Sequence, residues 1–91
     1  MEGLITVLTS ESCGCCLTYR PKLLQVADIM GIDTRFIDID KDDADLSGYD
    51  FTGLPLTIVY DGEGRMCGQF QGDMDLGMIK ANIEGLYDKY K

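Results

Sequence analysis

Short apolar runs alternate along this chain with polar, glycine-bearing breaks, and the period of each run indicates its element. "LITVLTS", residues 4–10, is β-branched and apolar, with the length of a buried strand that stops at a polar turn. Beyond the turn, Cys16, Tyr19 or Arg20, Leu23, Ala27 and Met30 recur at three- and four-residue spacing. That predicts a helix, with Gly31 as its stop. Pro21 falls inside the helix, where it removes one backbone hydrogen bond and is expected to bend the axis. "DTRFIDID", residues 33–40, sets Phe36 or Ile37 and Ile39 among polar residues and reads as a second strand. Reached through a helix, it should lie parallel to the first and complete a right-handed βαβ unit.

Residues 41–53 are a polar connection with room for a short helical turn. Two further strand-like runs, residues 55–60 and 65–71, flank Asp61, Gly62, Glu63 and Gly64 and predict a β-hairpin. In the tail, Leu76, Ile79, Ile83, Leu86 and Tyr90 share one helical face. Asp73 is the expected N-cap, and lysines near the end suit the helix dipole. Gly77 and Gly85 each weaken this helix by about 1 kcal/mol relative to alanine, so packing must hold it. The order β-α-β-(turn or helix)-β-β-α predicts an α/β arrangement on one mixed sheet. With 45% hydrophobic residues, the chain suits a single domain over residues 1–91.

Charge narrows the function. Sixteen acidic residues against eight Lys and Arg give a net charge of -8, which repels nucleic acid and anionic lipid. No apolar run approaches the length needed to span a bilayer. A strand-like stretch already begins at Leu4 with no basic segment before it, so no cleaved signal is expected and the cytoplasm is the expected location. There, clustered cysteines point to catalysis or metal rather than to a structural disulfide framework.

Three of the four cysteines stand at 13, 15 and 16. Cys15 and Cys16 are sequence neighbours, with Cα atoms about 3.8 Å apart across a trans peptide, too close for an unstrained disulfide. Cys13 and Cys15 point to different faces of a starting helix, whereas Cys13 and Cys16 meet on one side of its first turn. The C-x-x-C pair is therefore Cys13 with Cys16. A thiol at a helix N-terminus feels unpaired amides and the positive end of the dipole, which favours Cys13 as nucleophile and Cys16 as the shielded resolving thiol. Glu11 and the acidic total work modestly against the thiolate. A C-x-x-C pair can also be half of a zinc site, but the chain has no histidine and only Cys67 to spare.

"CGCCLTYRP", a Cys-Gly-x-Cys motif with Pro21 five residues after its second cysteine, resembles the thioredoxin superfamily, as does "GLPLTIVYDGEGRMCGQFQG" at residues 53–72. The resemblance covers nearly the whole chain and implies a short thioredoxin- or glutaredoxin-like protein, with a four-stranded mixed sheet flanked by helices. It implies a cis Pro55 lying against the cysteine pair, and a Leu54 backbone that binds an extended substrate as an added strand. Ser12, Gly14 and Cys15 become neighbours of the active site. Three departures stand out. Ser12 replaces the usual tryptophan of the docking surface, Val7 replaces a buried aspartate that assists the resolving cysteine, and Cys15 replaces a rigid proline. Glutaredoxins usually show Cys-Pro-Tyr-Cys, a nearby basic residue and paired glycines for glutathione. Here Gly14 and Cys15 fill the centre and Glu11 flanks it, although Asp73 and Asp75 could form part of a glutathione site.

The resemblance thus implies a thiol-disulfide oxidoreductase for protein disulfides, contributing to electron transport and redox homeostasis. It needs no bound cofactor or metal, is reset by a flavin-dependent thioredoxin reductase or by glutathione, and acts as a monomer. Thioredoxin-like reduction is favoured over glutathione dependence. The competing class is a non-catalytic metal or iron-sulfur binder using Cys13, Cys15 and Cys16. Cys15 tunes the potential, acts as an alternative resolving thiol or does nothing. Among lesser features, Asp38, Asp40 and Asp42 alternate like calcium-loop ligands, but Asp43 and Tyr49 break that pattern. "GEGRMC" is a hairpin turn rather than a dinucleotide fingerprint. Cys67 is expected to be buried or half-buried in a strand, with Met30 and Met78 as gap fillers in or near the core.

Overall fold

The computed structural model describes residues 3–10, 13–39 and 53–90. Glu11, Ser12 and the polar connection that carries Asp40, Asp42, Asp43 and Tyr49 lie outside the described residues. The elements are β1 (Gly3–Thr9), α1 (Gly14–Met30), β2 (Asp33–Asp38), β3 (Leu56–Asp61), β4 (Met66–Gln71) and α2 (Leu76–Tyr90). The four strands form one sheet in the order β2-β1-β3-β4. β1 pairs parallel with β2 and antiparallel with β3, and β4 completes the hairpin. This is the expected mixed sheet, with α1 as the crossover that a parallel pair requires.

Strand alternation divides the apolar residues between two faces. Ile5 and Val7 of β1 and Val59 of β3 face the helices, where they pack with Tyr19, Leu23, Val26 and Ala27 of α1 and Ile79, Ile83 and Tyr87 of α2. Leu8, Ile37, Leu56 and Ile58 form a second cluster, to which Ile39 and Leu54 add. Each fully buried side chain of the Leu23 or Ile79 kind stabilises the fold by roughly 1.5–3 kcal/mol. β2 serves both clusters, because Phe36 packs with the first while Ile37 is buried in the second. Above Phe36 lies the exposed Arg20, its guanidinium 4.5 Å from the ring centre, while Tyr19 takes the buried position of the α1 stripe.

α1 runs unbroken through the exposed Pro21 and ends at Gly31, whose φ of 69° is the left-handed conformation glycine adopts without cost. The hairpin turn is held by Asp61, whose carboxylate accepts from the backbone N–H groups of Glu63 and Arg65 at 2.9 Å. These bonds, chiefly that from Arg65, lower the Asp61 pKa. Across the hairpin Val59 pairs with Gly68 and Tyr60 with Met66, so Cys67 is the extra residue of a β-bulge. It is half-buried, as expected.

Two expectations are corrected. The α2 cap is Asp75, whose carboxylate accepts from the Met78 backbone N–H at 2.9 Å, and not Asp73. Asp73 is instead drawn to α1, where it pairs with Lys22 at 2.7 Å and accepts from the Thr18 hydroxyl at 3.1 Å. Met78 is 55% exposed rather than a gap filler, because it sits one residue off the buried stripe of Ile79, Ile83 and Tyr87. Tyr87 is the buried tyrosine of α2, and its hydroxyl donates to the Tyr60 carbonyl at 2.9 Å; the Tyr90 side chain lies outside the described residues. Among the described residues no helix is long and apolar enough to cross a membrane.

α1 is pinned to the sheet by a buried hydrogen bond of 2.5 Å between the Tyr19 and Thr57 hydroxyls. Removing one partner strands the other in the core at a cost of about 1–3 kcal/mol, whereas removing both leaves no orphan. Chemical denaturation should therefore show Tyr19→Phe to be destabilised by about that amount, and Tyr19→Phe/Thr57→Val to be more stable than the sum of the two single losses. Strict additivity would show that the bond contributes nothing.

Candidate active site

Cys13 is the N-cap residue of α1, with an extended backbone (φ -96°, ψ 103°). A turn sets this geometry, in which the Cys13 N–H donates to the Ser10 carbonyl and the Cys16 N–H to the Cys13 carbonyl, both at 3.1 Å. Cys16 lies one turn into α1 and is 3% exposed, whereas Cys13 is half-buried and Cys15 exposed. The helix therefore presents the three sulfurs at three depths.

The electrostatics separate the pair. The Cys16 thiol, hydrogen-bonded to Cys13, is the largest influence lowering the Cys13 pKa. Partial burial opposes it, while the backbone amides of Cys16 and Cys15 and the Cys15 thiol add to the lowering. These amides act as the open end of α1 at longer range, since Cys13 makes no close capping bond of its own. No carboxylate occupies the first turn of α1 to offset this field. Burial drives Cys16 the other way, to a pKa of about 11, helped by its hydrogen bond to Cys13 and the charges of Cys13 and Cys15. A backbone hydrogen bond at Ser10 partly opposes that rise. Cys13 is thus the thiol of the pair favoured to ionise, and Cys16 the one favoured to keep its proton.

Opposite Cys13 stands the segment before β3. The Leu54–Pro55 peptide is cis, and the Cys13 sulfur lies 3.8 Å from the Leu54 carbonyl oxygen, within reach of a long sulfur hydrogen bond. The Gly72 N–H donates to the Pro55 carbonyl at 2.9 Å and ties this segment to the end of β4. Of the expected site residues, the fold brings Cys13, Gly14, Cys15, Cys16, Leu54 and Pro55 together, while Ser12 lies outside the described residues. Val7 is fully buried on the helix-facing side of β1.

Neither aspartate considered for glutathione is uncommitted. Asp75 caps α2, and Asp73 is held by Lys22 and Thr18, with its pKa lowered chiefly by Lys22. Sequence reasoning missed this latch. Its only signal was the four-residue spacing of Thr18 and Lys22 on one face of α1. Among the described residues no group of three or more His, Cys, Asp or Glu is arranged to hold a metal ion.

No protein-family model and no curated protein sequence matches the chain. Solved structures do. A point mutant of thioredoxin from Halobacterium salinarum superposes with a TM-score of 0.78 at 23% identity, covering 92% of this chain and 74% of that one. The fold is that of thioredoxin. Chloroplastic thioredoxin z matches this thioredoxin fold with a TM-score of 0.78 at 21% identity, over 96% of this chain and 80% of its own. Thioredoxin-2, described as a component of malaria parasite protein secretion machinery, gives 0.77 at 15% identity, over 92% and 82%.

The opposed pKa shifts make thioredoxin-fold stability depend on pH. The folded protein holds the Cys16 proton up to about 11, while the unfolded chain releases it near the ordinary 9.0. Stability from Cys16 is therefore complete below 9.0 and lost as pH rises towards 11. Cys13, whose folded pKa is lowered, contributes stability that is present above the ordinary value and lost only as pH falls through its folded value. Unfolding free energy should thus fall between pH 9 and 11, by an amount of order 2 kcal/mol from Cys16, and the fall should shrink in Cys16→Ala. A wild-type profile that stays flat or rises across this window would contradict the assignment.

Proposed function

We propose that this protein is a thiol-disulfide oxidoreductase that reduces protein disulfides through Cys13 and Cys16. The observation that carries the reading is the Cys13 sulfur itself, favoured as thiolate by the Cys16 thiol and the end of α1, and facing Leu54 and the cis Pro55. The Cys13 thiolate attacks one sulfur of a substrate disulfide. That S–S bond breaks, a mixed disulfide forms on Cys13, and the first substrate thiolate leaves and takes a proton. Cys16 then loses its proton and attacks the Cys13 sulfur, which releases the second substrate thiolate and leaves a Cys13–Cys16 disulfide. Two electrons have passed to the substrate.

The Leu54 backbone is the proposed docking edge, where an extended substrate strand would align its disulfide with Cys13. Resetting the pair requires two electrons, from a flavin-dependent thioredoxin reductase or from glutathione. The engagement of Asp73 and Asp75 elsewhere favours the reductase. A reducing compartment such as the cytoplasm keeps such a pair as dithiol, and the protein is proposed to work there as a monomer.

Insulin-disulfide reduction, coupled separately to thioredoxin reductase and to glutathione with its reductase, tests the reading. Cys13→Ser should fall to background in both arms, while the wild type turns over faster with thioredoxin reductase. Undiminished turnover by Cys13→Ser would remove the nucleophile assignment. Stoichiometric bound iron or copper in protein that fails to reduce insulin would replace the reading with metal binding.

A further inference from the structure

The oxidoreductase reading leaves one sulfur at the site without a task. Cys15 is exposed and lies in the first turn of α1, two residues from Cys13, whose extended N-cap backbone sets it outside the helix proper. Cys13 therefore has one neighbouring thiol open to solvent, Cys15, and one in the core, Cys16. Resting on that reading, we propose that Cys15 is a second resolving thiol, which competes with Cys16 for the mixed disulfide on Cys13.

The competition follows from where each proton can go. Before attacking, Cys16 must give up its proton from a position 3% exposed, and burial is the largest force keeping that proton on. When Cys13 enters a mixed disulfide its charge disappears, but the burial of Cys16 does not. Val7, fully buried on the neighbouring strand, offers no base. Among the described residues, Lys22 of α1 and Asp73, which faces it, are paired with each other. Cys15 faces water, which can accept its proton directly. Exchange rate depends on the thiolate fraction and on access, and Cys15 has the better access.

The step balances without another reactant. Cys15 releases its proton to water, and its sulfur attacks the Cys13 sulfur. The bond between Cys13 and the substrate sulfur breaks, and a Cys13–Cys15 bond forms. The electron pair leaves on the substrate sulfur, which takes up a proton. The substrate is reduced by two electrons and the Cys13/Cys15 pair is oxidised. Cys16 can then attack Cys13, regenerate the Cys15 thiol and leave the Cys13–Cys16 disulfide of the main cycle.

The test follows the mixed disulfide with insulin in Cys16→Ser and in Cys15→Ser/Cys16→Ser, with acid quenching and peptide mapping. In Cys16→Ser the adduct should decay at least about tenfold faster than in the double variant, and a Cys13–Cys15 disulfide should replace it. Equal lifetimes without that disulfide would overturn the proposal. Should Cys16→Ser fail to fold, wild type quenched at early times decides. Cys13–Cys15 should appear before Cys13–Cys16, and its absence at every time overturns the proposal. Wild type that forms no adduct at Cys13 would instead bring down the oxidoreductase reading and this inference with it, whereas wild type that reduces insulin with no Cys15 linkage sinks the inference alone.

Discussion

Everything at the site depends on the contrast between two thiols, Cys13 at the cap of α1 and Cys16 buried in its first turn. The ordinary thiol value is 9.0 for both; burial, the larger cause, raises Cys16, and the Cys16 thiol is the largest influence lowering Cys13. Burial chiefly keeps the proton on Cys16, and the Cys16 thiol in turn favours charge on Cys13. That contrast requires the first turn of α1 to stay where it is. That turn is positioned from below by the buried stripe of Cys16, Tyr19, Leu23, Val26 and Ala27, and from the side by the Lys22–Asp73 latch. Packing energy spread over the helix thus sets the relation of two sulfur atoms at its end.

The same constraint explains the role of the sheet order. β1 and β3 are neighbours, so the end of β1, which leads into α1, lies beside the start of β3, where the cis Leu54–Pro55 peptide stands. Antiparallel pairing sets Leu8 opposite Leu56, the residue next to Pro55. Substrate edge and nucleophile are therefore brought together by backbone pairing, across 41 residues of sequence. The Tyr19–Thr57 bond links α1 to the same end of β3. The site is a junction of two strand ends and a helix start.

Much of this was legible in the chain. Apolar period and glycine breaks indicated every described element, and the three-residue spacing selected Cys13 and Cys16 from three candidates. What was not legible depended on partners distant in sequence. Asp73 and Asp75 are equivalent as caps by residue type, and only the approach of Lys22 and Thr18, 51 and 55 residues away, assigns Asp75 to α2. Likewise, Tyr19 reads as one more apolar position of α1 until Thr57 gives its hydroxyl a partner. The cis Pro55 followed from family resemblance, since residue type alone favours trans. Met78 belonged to an apolar segment but lies off its buried stripe, a distinction of one residue that burial alone resolves.

Site-resolved alkylation by iodoacetamide across a pH series, read by peptide mass spectrometry, tests the opposed behaviour of the two thiols most directly. The account predicts that Cys13 modification reaches half its limiting rate below pH 9.0, that Cys16 resists modification until about pH 11, and that Cys16→Ala moves the Cys13 midpoint upwards. A Cys13 midpoint at or above 9.0, or one unmoved by Cys16→Ala, would contradict it.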